Sequence, residues 1–290
     1  RELWTRQFPM ILASRGGSKS FTLALYALLR LLFTPGSKII VVGSAFRQAK
    51  VIFDYMERIW YTSPVFRDLV CGSKNIKGRD NGPKKEIDRC EFTIGESICT
   101  ILPLGADGQK IRGMRANYTL TDEFASINED VYARVIQGFG VVSADPVRNM
   151  KNHARMRVLQ RLNLWTKEME DDEVKSRRGN QSVISGTAYY TFNHFYKYWR
   201  EYHAIISSGG DKKKLEEIFK GPIPDGFDWR DYAIIRLPYQ KIPRGYMDEK
   251  TIIRAKQTTT SSTFLMEYGA VFPIDSDGFF KRSLIEKCVV

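Results

Sequence analysis

A lysine followed by a serine closes the run Ala13-Ser14-Arg15-Gly16-Gly17-Ser18-Lys19-Ser20, which lies between the apolar stretch FPMILAS and residues 19–33, a stretch with helical character. Adjacent glycines let backbone amides approach an anion closely, and a helix opening at Lys19 aims its unpaired N–H groups at the same place. In such a loop the lysine ammonium reaches the β- and γ-phosphates of a nucleotide and the following hydroxyl ligates Mg²⁺. Ser14, Arg15, Gly16, Gly17, Ser18, Lys19 and Ser20 are therefore the candidate ATP-binding residues. The run departs from GxxxxGK[ST] at Ala13 and Ser18, and a Gly-rich turn before a basic helix reads the same way.

Two acids, Asp122 and Glu123, end the half-apolar run YTLTDE about a hundred residues later. An Asp at a strand end beside a phosphate loop holds Mg²⁺ directly or through water. A neighbouring Glu can take the proton of an attacking water as general base. A strand ending in a solvated acidic turn is the structural alternative. The additional strand and helix between loop and acids favour an Asp-Glu ATPase over small kinases and GTPases. A third element, Ser185-Gly186-Thr187 at the end of QSVIS, places small hydroxyl residues where a γ-phosphate could be sensed.

The elements that must position these groups alternate between strand and helix, an α/β pattern. Strands are expected at residues 8–14, 38–44, 117–122, 181–187 and in DYAIIRLP, with a hairpin over 91–104 turning at Gly95-Glu96. Helices are expected over 19–33, 45–61, from the Asp-Glu strand to about 137, over 148–178 and over 192–202. Residues 71–90 read as an exposed polar excursion, and 209–214 as a Gly/Lys-rich loop. The expected fold is a P-loop NTPase of the additional-strand Asp-Glu type, a mostly parallel sheet flanked by helices.

Charge narrows the partner. The chain of 290 residues holds 45 Lys+Arg against 33 Asp+Glu, a net +12, which points to a polyanion and to nucleic acid before membrane. The apolar stretch FTLALYALLRLLF is interrupted by Arg30 and is shorter than the ~20 residues that span a bilayer. Cys71, Cys90, Cys99 and Cys288 form no CxxC pair and there are three histidines, so a zinc site or disulfide framework is not expected, and a reducing, cytoplasmic setting is. Candidate polyanion contacts are Lys74, Lys77, Lys84 and Lys85 in the excursion, or Arg155, Arg157 and Arg161 in the helical stretch; surface solubility explains either set equally well.

The order SRGGSKS, KIRGMRANYTLTDEF, SGT and FLMEYGAVFPIDSDGFF across roughly residues 8–280 resembles the ATPase part of the large terminase subunit of tailed double-stranded DNA bacteriophages. The resemblance implies a motor that hydrolyses ATP to drive double-stranded DNA into a procapsid. It implies a homo-oligomeric ring, a pentamer, at the portal protein, a small terminase subunit as partner, and a place in the host cell cytoplasm. By this resemblance Lys19 binds phosphate, Ser20 and Asp122 handle Mg²⁺, Glu123 activates water, and Ser185, Gly186 and Thr187 form the coupling motif. Arg15 in cis and Arg112 in trans compete as the arginine that stabilises the transition state. Residues 1–270 would be the ATPase domain and 271–290 a linker toward a DNA-cutting nuclease domain. Asp275 and Asp277 are read as turn residues of that linker rather than metal ligands.

Some features depart from the family. Ser18 stands where a glycine usually precedes the lysine, and Gln7 is too near the loop to be the usual adenine-contacting glutamine. Two other functions fit the composition: a helicase-like DNA translocase, and a nucleotide-regulated DNA-binding scaffold without turnover. The first is disfavoured by the lack of a second core and by the EYGAVF exit, the second by the intact Asp122-Glu123 pair.

Overall fold

The computed structural model describes residues 1–274, apart from 69, 71, 72, 76, 106, 107, 144, 145 and 170–178, together with Cys288. Eight strands form one sheet: β1 (Phe8–Ala13), β2 (Lys38–Gly43), β3 (Gly82–Lys85), β4 (Cys90–Ile94), β5 (Ser97–Ile101), β6 (Tyr118–Asp122), β7 (Gln181–Gly186) and β8 (Tyr232–Leu237). Their order is β3-β4-β5-β2-β6-β7-β1-β8. The pairings from β5 to β8 are parallel, and β3-β4 and β4-β5 are antiparallel. β7 separates the loop-bearing strand β1 from the Asp-Glu strand β6, which is the additional-strand arrangement expected from the sequence.

Both faces of the sheet are covered, which is why β1 and β2 read as continuous apolar runs rather than alternating ones. On one face Ile11, Ala13, Ile39 and Val41 pack with the helices Lys19–Phe33 and Phe46–Thr62 through Leu23, Leu28, Phe53 and Met56. On the other, Met10, Leu12, Ile40 and Val42 share a core with Phe124, Tyr132 and Phe195, the last from the helix His194–Ser208. Among the described residues no helix is long and apolar enough to cross a membrane.

Three expectations are corrected. The excursion 71–90 is not wholly without structure, because Gly82–Lys85 adds β3 to the sheet edge, where Pro83 and two lysines are tolerated. The helix from Pro146 ends at Arg161, with turns at Leu162 and Asn163, the latter at φ 54°; residues 170–178 of the expected helical stretch lie outside the described residues. The Gly/Lys-rich loop is cut short by a helix, Lys212–Phe219, whose first turn is capped by the Asp211 carboxylate accepting from the Lys214 amide. The hairpin turning at Gly95-Glu96 stands as expected.

Candidate nucleotide site

The carboxyl ends of β1, β6, β7 and β8 converge on one edge of the sheet, where an open α/β sheet takes its ligand. The loop after β1 carries Gly16 at φ 73° and Ser18 at φ 55°. A Cβ on Gly17 would lie 2.8 Å from the Ser14 carbonyl oxygen, so only glycine closes the loop this tightly. Ser18 holds a left-handed conformation that costs a residue with a Cβ roughly 1–2 kcal/mol. Its hydroxyl is hydrogen bonded to the hydroxyl of Tyr246, and the neighbouring Met247 lies over Gly16.

Lys19 opens the helix but is only 8% exposed. Its Nζ donates to Thr187 Oγ1 at 2.9 Å, lies 3.5 Å from the Ser14 carbonyl and 3.9 Å from Glu123 Oε1. Ser20 Oγ donates to Asp122 Oδ2 at 3.0 Å, and Asp122 Oδ1 accepts from the Glu123 amide. Two hard oxygen donors thus sit side by side next to the phosphate loop, a donor set suited to Mg²⁺. Glu123 is at φ 50°, which turns its carboxylate back toward Lys19. Burial pushes this carboxyl above its ordinary value, opposed by Lys19 and reinforced by Asp122.

The coupling motif predicted at Ser185, Gly186 and Thr187 arrives beside these groups. Thr187 supplies the Lys19 contact, and a Cβ on Gly186 would meet the Phe195 ring at 2.9 Å and the Phe124 amide at 3.3 Å. Ser14, Thr121 and Ser185 each bury a hydroxyl oxygen with no hydrogen-bond partner among the described residues. Arg15 reaches the site from the loop, its Nε 3.7 Å from Glu267 Oε2 and its amide donating to the Glu267 carbonyl. Arg112 does not line this site. It is exposed just after the short 3₁₀ turn Gln109–Ile111.

A cavity of about 550 Å³ runs along these residues and is also lined by Gln48, Tyr55, Tyr246 and Glu267, among others. Tyr246 and Glu267 were not assigned from the sequence. Glu267 belongs to the EYGAVF segment, but only the return of the chain past β8 makes it the partner of Arg15. Tyr246 has no local signal. Asp275 and Asp277 lie outside the described residues.

Fold and loop together have the architecture of a P-loop NTPase of the additional-strand class. Residues 10–149 match the family described as terminase large subunit, T4likevirus-type, N-terminal. The fold is similar to the large terminase ATPase domain of Thermus phage P74-26, with TM-score 0.54 and 14% identity over 92% of this chain and 89% of that one. It is also similar to the large terminase of a thermophilic bacteriophage in complex with ADP (TM-score 0.55, 8% identity, 94% of this chain, 50% of that one). A third is the HK97 bacteriophage large terminase (0.51, 10%, 99% and 51%). The chain spans about half the length of these last two proteins. No curated protein matches it. The resemblance read from the motifs, to the ATPase part of phage large terminase subunits, is borne out.

Proposed function

We propose that the chain is the ATP-hydrolysing motor domain of a phage large terminase, which drives double-stranded DNA into a procapsid. The observation that carries this reading is the meeting of Lys19, Ser20, Asp122, Glu123 and Thr187 at one sheet edge, from elements far apart in sequence.

The amides of the Gly16-Gly17 loop and the Lys19 ammonium bind the β- and γ-phosphates, the ammonium exchanging its Thr187 and Ser14 contacts for phosphate oxygens. Ser20 and Asp122 would hold Mg²⁺, which when bound neutralises charge on the phosphates. Glu123 accepts a proton from the attacking water, and burial, which raises its proton affinity above the ordinary carboxylate value, makes it a stronger base. The water oxygen bonds to the γ-phosphorus as the bond to the ADP oxygen breaks. Thr187, released by Lys19, reports the state of the γ-phosphate to β7 and the helix that follows. Arg15 stands in the site and acts in cis on the developing charge; Arg112, exposed outside it, is the candidate to act on a neighbour's nucleotide in a ring.

The same reading makes the small terminase subunit and the portal protein partners, assembles the motor as a homo-oligomeric ring of five in the host cytoplasm, and gives the full-length protein a DNA-cutting nuclease. The test is phosphate release from ATP, with Glu123→Gln as the informative variant. That variant should keep ATP binding and lose about 10²–10⁴-fold in turnover. Turnover at the parent rate would remove Glu123 as the base, and a parent chain with no ATP-dependent turnover in its assembled form would leave a nucleotide-regulated scaffold instead.

A further inference from the structure

The sequence offers two basic sets for a polyanion, and the structure separates them. In the excursion every lysine is already matched. Lys74 pairs with Asp80 at 2.6 Å, Lys77 with Glu91 at 2.6 Å, Lys84 with Glu86 at 2.5 Å and Lys85 with Glu57 at 2.5 Å. A phosphate approaching this wing would have to displace a carboxylate at each point. The helix Pro146–Arg161 is the opposite case. Lys151, Arg155, Arg157 and Arg161 are all exposed, and none has an ion pair among the described residues. No Asp or Glu occurs between Pro146 and Thr166. None of the helix's described side chains is buried, and the half-buried Asn152, Met156 and Leu159 lie on a face away from these cations.

The spacing of the charges also has a form. Lys151 and Arg155 are four residues apart, as are Arg157 and Arg161, so each pair makes a row along the helix. At 3.6 residues per turn the rows lie about 120° apart, flanking a stripe of Val147, Ala154 and Val158. Ten residues of helix from Lys151 to Arg161 cover about 15 Å, the length of four or five phosphates along one DNA strand at ~3.4 Å each. Two cationic rows with a narrow apolar strip between them fit a sugar-phosphate backbone lying along the helix.

We infer that this helix is a contact for the phosphate backbone of duplex DNA, and that the lysines of the antiparallel wing are not. The inference rests on the DNA-motor reading above. The test is fluorescence anisotropy of a labelled duplex of random sequence, titrated with the whole chain between about 50 mM and about 200 mM salt. One variant carries Gln at Lys151, Arg155, Arg157 and Arg161, and the other carries Gln at Lys74, Lys77, Lys84 and Lys85; glutamine preserves helix propensity. The helix variant should lose at least about tenfold in affinity at low salt and show a salt slope shallower by about 3 to 4, as expected for four lost phosphate contacts. It should keep the parent's thermal midpoint and its DNA-free ATP hydrolysis. The wing variant should bind DNA within about twofold of the parent. Parent-like affinity and slope in the helix variant, including the case in which the stripe serves a protein partner, would overturn the inference while leaving the ATPase reading intact. Equal losses in both variants would overturn it too. A parent chain that hydrolyses ATP but binds no duplex at any salt would overturn the DNA reading itself.

Discussion

The two ends of the β-sheet order treat polar groups in opposite ways. In the antiparallel wing, Asn75 satisfies its side chain completely: Nδ2 donates to the Asp80 carbonyl and Thr93 Oγ1, and Oδ1 accepts from the amides of Lys77 and Arg79. Glu91, largely buried, is met by Lys77 at 2.6 Å and Arg89 at 3.7 Å. Around the phosphate loop, three buried hydroxyls lack partners among the described residues, and Ser18 and Glu123 sit at positive φ without being glycine. The wing is settled as it stands. The loop edge keeps strain and unmet polarity in reserve, which is what a site awaiting a charged ligand requires.

This contrast can be broken by substitution. The largest effect is expected from Gly17→Ala, whose Cβ would stand 2.8 Å from the Ser14 carbonyl. The loop must open to admit it, so ATP affinity by calorimetry should fall by tenfold or more, about 1.4 kcal/mol or above, while the melting midpoint moves little. In the wing the pattern should invert. Glu91→Gln leaves Lys77 and Arg89 facing an uncharged amide and should cost about 1–2 kcal/mol in urea unfolding, with ATP affinity retained, because both cations can turn to water.

A smaller effect concerns His194, whose ring meets Phe124 edge to face and whose Nε2 lies 3.0 Å from the Phe124 carbonyl. Burial holds this imidazole below its ordinary value. The neutral ring therefore contributes stability above about pH 6.5, and that contribution is lost as pH falls through the lowered value. In His194→Gln the unfolding midpoint should vary less between about pH 7.5 and about pH 5.5 than in the parent. The smallest change is expected for Ser18→Gly. Relief of the left-handed strain, about 1 kcal/mol or more, is offset by glycine's extra freedom when unfolded and by the lost Tyr246 contact, leaving stability within about 0.5 kcal/mol. A large loss there would mean that the Tyr246 hydrogen bond outweighs the backbone strain.

Much of the loop edge was legible because its signals are local. An apolar run, two glycines and a helix start fall within a dozen residues around Lys19, and Asp122-Glu123 ends a strand on its own evidence. The hairpin at Gly95-Glu96 was legible for the same reason. What stayed hidden depends on distant chain. β3 is a Gly-Pro-Lys-Lys edge strand whose polarity is the normal guise of an edge. The helix at Lys212 was masked by its lysines, although Asp211 is a recognisable cap. Tyr246 and Glu267 become site residues only because β8 lies beside β1, a pairing that no short window reveals.

That pairing has a consequence for the order of events during synthesis. The Ser14 amide donates to the carbonyl of Leu237, the Arg15 amide to the carbonyl of Glu267, and the Tyr239 amide to the carbonyl of Tyr268. The phosphate cradle is thus encoded at the front of the chain but anchored by residues made more than two hundred positions later. A nascent chain halted before residue 237 has the glycines and the lysine, yet lacks the acceptors that fix them. Such an intermediate should bind ATP poorly however well its first strands have formed, so the ribosome must finish nearly the whole domain before it holds a nucleotide.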